Sequence, residues 1–355
     1  MIVAETKVAI PFRYRFIGFL KRLMIKDSTN IIQHVYFKIK LSSWWKLYEK
    51  IANKEGTTYV CPYKGTGDVY VASALLASQI GEDRVKKSKV CVIGGGFKKI
   101  VQLFGFTDVM SVEQQEMDEI IRMGTALGFD ALDIFVLHAD PPNSKMGITD
   151  HLRNYNGINF TDFFVNGVFN NSELEFKKPS FAECEESVKK FFEDNGLIPG
   201  RTVIVAPYVN TLGELPIWLW IEIVDDFRKK GFTVCTNCDE NHWPIYGSTR
   251  INPPYSELKQ FCEYAGYFVG SRSGLCDIIS SFDMCKVIIY FSTEHWGCGD
   301  IIDFFSLNDM GLCDDAIEIV HRGIDFLETK DEIMKRVQEW DKVNKASEIP
   351  VDLIR

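Results

Sequence analysis

The chain reads as an α/β protein with two doubly wound, Rossmann-like domains in tandem, facing a central cleft and preceded by a helical N-terminal segment. Three observations predict this. Short apolar or β-branched runs alternate regularly with longer stretches of helical period. The alternation stops between residues 150 and 200 and then starts again. The chain is 355 residues long, 46% hydrophobic and 25% charged, enough for two domains that each bury a core.

The elements follow in order. Residues 11–53 look helical, and residues 1–55 form a basic segment with 11 Lys and Arg against 4 Asp and Glu. Within it, "IPFRYRFIGFLKRLMIK" (10–26) could lie as an amphipathic helix on an anionic bilayer, with Phe16, Phe19, Leu20 and Leu23 on one side. A helix packed on its own protein with a solvated basic face is the commoner arrangement. The first domain, 56–178, has strand–helix repeats beginning at "TTYVC" (57–61), "SKVCVIGG" (88–95), "DVMSVE" (108–113) and "DIFVLH" (133–138). Continuous apolar strands of this kind imply a parallel sheet covered on both faces.

The stretches "FTDFFVNGVF" and "FAECEESVKKFFEDNG" read as helices without a strand. A second domain, 179–328, contains "RTVIVAP" (201–207), "FTVCTN" (232–237), "YFVG" (267–270) and "KVIIYF" (286–291) as strands. A final helix is expected over about 329–343, in a C-terminal segment of 329–355.

Composition excludes several classes. The net charge is −9, whereas a nucleic-acid partner wants a basic face. No apolar run is long enough to span a membrane. The ten cysteines are scattered, several within apolar runs, and there is no secretory signal. That pattern suits reduced thiols in a cytoplasmic protein. Cys235 and Cys238 form a CxxC that closes a strand, with no second pair at zinc spacing.

Two open sheets in tandem put their strand ends at a shared crevice, so the chemistry is expected on the loops there. "GSRSGLCDII" (270–279) hands a strand to a helix. Gly270 and Gly274 allow close backbone approach, Ser271 and Ser273 offer hydroxyls, and Arg272 could grip an anion bidentately. Asp277 falls in the helix's first turn, where negative charge suits the dipole. The plainer alternative is a Ser N-cap with a surface Arg. "PYKGTGDVYVASALL" (62–76) makes a tight turn through Gly65, Thr66 and Gly67, with Asp68 at the helix start facing the crevice. Asp68 could equally be a helix cap. The turn lacks the Gly-Lys-Ser/Thr ending of a P-loop.

"VAPYVNTLGELP" (205–216) offers Asn210 and Thr211 as neutral hydrogen-bonding groups at a strand end. His138, followed by Asp140, is a second candidate base. "IGGGFKKI" (93–100) lacks dinucleotide-loop spacing and reads as a turn in the acceptor half. "TEHWGCGD" (293–300) reads as a loop over the crevice, with His295 and Trp296 able to stack on a ring. No Asp-x-Asp and no metal-ligand cluster is visible.

These motifs together resemble GT-B glycosyltransferases, and in particular bacterial heptosyltransferase-like enzymes. "GTGDVYVASALL" resembles that family's "GD" turn and small-residue helix, "APYVNTLGELPIWLW" its "P…W" stretch, and "RSGLCDIISSFDMCKVIIYF" its Asp-Thr-Gly-(Leu)-x-His turn. The likeness spans about residues 57–292. The family's Asp falls on Arg272 and its His on Asp277, and the Lys often found before "P…W" has no counterpart. A charge-reversed turn implies different phosphate contacts.

The resemblance implies an inverting, metal-independent transfer of a sugar from a nucleoside-diphosphate donor to a glycan or lipid-linked acceptor, in cell-surface polysaccharide synthesis. The donor is a co-substrate and no cofactor is expected. Asp68 takes the family's base position, and the Ser271–Gly274 turn, Asp277, Asn210 and Thr211 take the donor. The expected setting is the cytoplasm, at the inner face of the membrane if residues 10–26 dock there. An epimerase or hydrolase of nucleotide sugars on the same scaffold would want more acids and histidines in the crevice than Asp68, His138 and His295. A degenerate transferase acting as a non-catalytic glycan-binding or partner protein is motivated by the swapped turn.

Overall fold

The computed structural model of the chain describes residues 31–138, 157–209, 214–291, 300–323 and 325–346. In its first half, α1 (Ile31–Ile51) precedes β1 (Thr58–Cys61), α2 (Thr66–Ile80), the single turn α3 (Glu82–Val85) and β2 (Lys89–Ile93). Then come α4 (Gly94–Gln102), β3 (Asp108–Val112), α5 (Gln114–Leu127) and β4 (Ile134–Val136). The four strands pair in parallel in the order β3-β2-β1-β4. The chain thus winds outward from β1 to β3 and returns to β1's other side at β4. That reversal leaves a crevice beyond the carboxyl end of β1, the usual ligand position in open α/β sheets.

The second half repeats the device. A short helical turn, α6 (Phe160–Asp162), runs into a π-turn (Phe163–Val168) and leads to α7 (Glu185–Asp194). β5 (Thr202–Ala206), α8 (Ile217–Lys229), β6 (Thr233–Asn237), β7 (Thr249–Ile251) and α9 (Leu258–Ala265) follow. They are succeeded by β8 (Gly266–Ser271), α10 (Gly274–Ile279), β9 (Cys285–Phe291), α11 (Ile301–Phe305), β10 (Ile317–His321) and α12 (Phe326–Ala346). The order β10-β9-β8-β5-β6-β7, all parallel, reverses between β5 and β8. The turns after β5 and β8 therefore flank the second crevice.

Side-chain alternation along the strands builds the core. In β5, Val203 and Val205 join an apolar cluster with Trp220, Phe227 and Ile333, while Ile204 and Ala206 face another. That second cluster is continuous across both halves: it holds Val69 and Leu75 of α2 together with Ile278 and Ile288. The two sheets thus share an apolar contact through α2. On the far face of the first sheet, Val60 and Cys91 pack with Ile51 and Met117, which docks α1 on the protein. Lys40 and Trp44 of α1 both donate to the Glu119 carboxylate on α5, at 3.0 and 2.8 Å.

All eight strands expected from the sequence form. β7 and β10 are additional, and both are edge strands with polar or half-exposed residues, "TRI" and "IEIVH". The apolar continuity that marks a central parallel strand is missing at such an edge. The last helix is longer than expected, and its Ile333, Met334 and Val337 are buried against the six-stranded sheet. The segment 10–26 lies outside the described residues.

Candidate active site

The turn after β1 and the turn after β8 meet. The first is Gly65-Thr66-Gly67-Asp68, opening α2; the second is Ser271-Arg272-Ser273-Gly274, opening α10. A Cβ placed on Gly274 would lie 2.3 Å from the Gly67 nitrogen and 2.6 Å from Thr66 Cβ. One placed on Gly67 would lie 2.1 Å from an Asp277 carboxylate oxygen. Real Cβ atoms do not approach so closely, so only glycine allows the first turns of the two helices to touch. At Gly65 the only close neighbour is the Asp68 carboxylate, which folds back over it 2.1 Å from where its Cβ would stand. The two strand-end glycine motifs singled out in the sequence thus form one locus.

Arg272 differs from its sequence-based reading. It is 5% exposed and its guanidinium is engaged on every side. Nη1 and Nη2 donate to the two Asp277 carboxylate oxygens at 3.0 and 2.7 Å, Nη1 also reaches the Ser273 carbonyl at 2.7 Å, and Nε reaches the Phe305 carbonyl at 3.0 Å. A fork that was expected to grip an external anion holds an internal carboxylate in the same bidentate geometry. Asp277 is 1% exposed. Burial raises its carboxyl while Arg272 opposes the rise. The same pairing holds the guanidinium protonated against its own desolvation.

Asp68 has no such partner. Burial first, and the Asp277 charge second, push its carboxyl up to about 7, with Arg272 and its own backbone N–H pulling the other way. A carboxyl balanced near neutrality where two strand-end turns meet suits a proton acceptor. Nearby groups stay neutral over this range: the Cys61 thiol is pushed up to about 12 by burial, and Tyr70 is likewise raised by burial and by Asp277. Tyr70, on α2, reaches Ser280 and Ser281 of the other half. No local pattern in the chain marks that contact. The Arg272–Asp277 pair had one, two opposite charges five residues apart in a turn.

The remaining candidates divide. Ser271 is buried, 4% exposed, and its hydroxyl has no hydrogen-bond partner among the described residues. Ser273 is the N-cap of α10 but makes no side-chain capping bond. His138, just beyond β4, stacks on the Tyr63 ring with centroids 4.6 Å apart. Asn210, Thr211, Asp140, His295 and Trp296 lie outside the described residues. The glycines of "IGGGFKKI" open α4 into empty space, since a Cβ at Gly94, Gly95 or Gly96 would meet nothing within 4 Å. Cys235 and Cys238 are buried free thiols, and burial raises both.

No family model matches the sequence, and no curated protein matches it. Solved structures do match. The E. coli ADP-heptose lipopolysaccharide heptosyltransferase II superposes with a TM-score of 0.52 over 80% of this chain and 99% of that one, at 11% identity. A family 9 glycosyltransferase from Veillonella parvula DSM 2008 matches with a TM-score of 0.49, 13% identity, and coverage of 79% and 91%. The chain has the two-domain α/β fold of the heptosyltransferase, the GT-B architecture its motifs resemble. Among the described residues no helix is long and apolar enough to cross a membrane.

Proposed function

We propose that the chain is a glycosyltransferase that moves a sugar from a nucleoside-diphosphate donor to an acceptor hydroxyl in the crevice between its sheets. The observation that carries this reading is Asp68: a carboxyl poised near neutrality where the two strand-end turns meet. In the reaction the acceptor oxygen forms a bond to the anomeric carbon, and the bond from that carbon to the diphosphate breaks. Asp68 takes the acceptor's proton as the new bond forms. The departing diphosphate, which gains negative charge, is received by the Ser271–Gly274 turn, where the buried Ser271 hydroxyl and the N-cap Ser273 stand. Asn210 and Thr211 complete the donor contacts on the turn after β5. The mechanism uses no metal and inverts the anomeric centre. The acceptor is a glycan or lipid-linked hydroxyl, met at the cytoplasmic face of a membrane. Entry of the donor requires the Gly67–Gly274 contact to part, which a two-domain fold allows by hinge motion.

One observation favours a second reading. Arg272 is committed to Asp277 and the two turns are closed on each other, as in a degenerate transferase that binds donors or glycans without turning them over. Thermal shifts with UDP, GDP, ADP, CMP and dTDP, with and without Mg²⁺ or Mn²⁺, test both. A ligand that binds only the folded state raises the melting temperature by mass action. Transfer is expected with the donor whose nucleotide gives the selective shift, and Asp68→Asn should abolish transfer while leaving that shift intact. Turnover by the variant at the wild-type rate would remove Asp68 as base. A shift without any turnover would establish the non-catalytic reading.

A further inference from the structure

The sequence offered Arg272 and Asp277 as donor ligands, but their geometry gives them to each other. The Asp277 carboxylate lies against the Gly67 backbone, one residue from Asp68, and the bidentate grip of Arg272 fixes it there. Arg272 is in turn fixed by the Ser273 and Phe305 carbonyls. We infer that the Arg272–Asp277 pair is a positioning pair: Arg272 holds the Asp277 carboxylate against the start of α2, one residue along from Asp68, and so sets the charge that Asp68 faces. The chemical use of that charge rests on the transferase reading. The electrostatic coupling between the two carboxylates does not.

Two features favour this arrangement over a purely structural ion pair. The pair does not stay within its own turn: glycine at both 67 and 274 brings the Asp277 carboxylate against the turn that carries Asp68. In addition, the two carboxylates share the crossing with a single guanidinium, and that guanidinium hydrogen-bonds only Asp277 of the two. Like charges in one site disfavour double ionisation, so the carboxylate without the fork keeps its proton to higher pH. The groups facing the two acids are Arg272, Cys61 and Tyr70, with Tyr290 and Cys276 beside Arg272. The thiols and phenols are all raised by burial, so a titration between pH 4 and 9 reads the carboxylates.

The experiment is difference infrared titration of the full chain carrying ¹³C-carboxyl aspartate, with the Asp68→Asn protein subtracted to isolate the Asp68 band. Wild-type Asp68 is expected to titrate near neutrality. In Asp277→Asn, which keeps the side-chain shape and removes the charge, the midpoint is expected to fall by about one pH unit or more. An unchanged midpoint in a folded Asp277→Asn protein would overturn the inference. If that single variant does not fold, Arg272→Gln combined with Asp277→Asn leaves no buried charge unpaired. It should also titrate lower than wild type, because the carboxylate is the member of the pair that lies against the turn carrying Asp68; a midpoint equal to or above wild type would overturn the inference. The transferase reading fails separately, if Asp68→Asn retains turnover, and that result would leave the titration shift standing.

Discussion

The two turns that meet in the crevice are built alike and are charged differently. Each follows a parallel strand at a reversal of strand order, each needs glycine for the other's approach, and each puts an aspartate in the first turn of its helix. Asp277 has a guanidinium fork and Asp68 has none. One carboxylate is thereby held as an ion in the interior, and the other is left undecided between its two protonation states at neutral pH. Acids of the same type at matched positions, one buried and one partly buried, can serve structure or chemistry, and the partner determines which.

The contrast breaks most completely when the fork is removed. Arg272→Met should strand a buried carboxylate and destabilise the chain by about 3–5 kcal/mol, the range for losing one partner of a buried pair. Chemical denaturation at pH 7 would measure it. A loss below 1 kcal/mol would mean that Asp277 reaches water or takes up a proton at little cost.

Asp68 should behave in the opposite sense. Its folded-state affinity for a proton exceeds the unfolded value, so its contribution to stability is fully present below about pH 4 and is lost as pH rises through about 7. Asp68→Asn, which cannot ionise, should therefore match wild type near pH 4 and exceed it at pH 8, by on the order of 2–4 kcal/mol. Unfolding curves at the two pH values test this. Equal differences at both would show that Asp68 titrates as an ordinary exposed acid.

The smallest expected effects sharpen the steric half of the comparison. Gly274→Ala should cost about 1–3 kcal/mol by forcing backbone apart at the crossing. Gly95→Ala, in a helix start that faces open space, should be neutral or stabilising by up to about 1 kcal/mol. Thermal unfolding of the pair would separate a glycine required by contact from one that is only tolerated.

These variants also mark how much was legible beforehand. The strand-end turns and the tandem winding could be read because apolar periodicity and glycine-bearing turns are local signals. The edge strands Thr249–Ile251 and Ile317–His321 could not, since an edge strand need not be continuously apolar. "IGGGFKKI" and "GTGD" look alike as glycine turns after strands, yet only the second is crowded. Arg272 shows the same limit: its guanidinium is engaged by Asp277 and two carbonyls, which its place in the turn does not reveal. A guanidinium in a turn advertises an anion site, but which anion fills it depends on what else is brought within reach.

Two parallel sheets, the ends of their strands and the short turns that carry the polar groups are written in the order of residues along the chain. Those outcomes follow from side-chain burial along single elements. That the two turns touch, that the Arg272 fork goes to Asp277, and that Asp68 has no fork of its own follow from the packing of the two halves. Proton affinity and pairing depend on groups some two hundred residues apart in the chain, and Coulomb forces and desolvation act through space, not along the sequence.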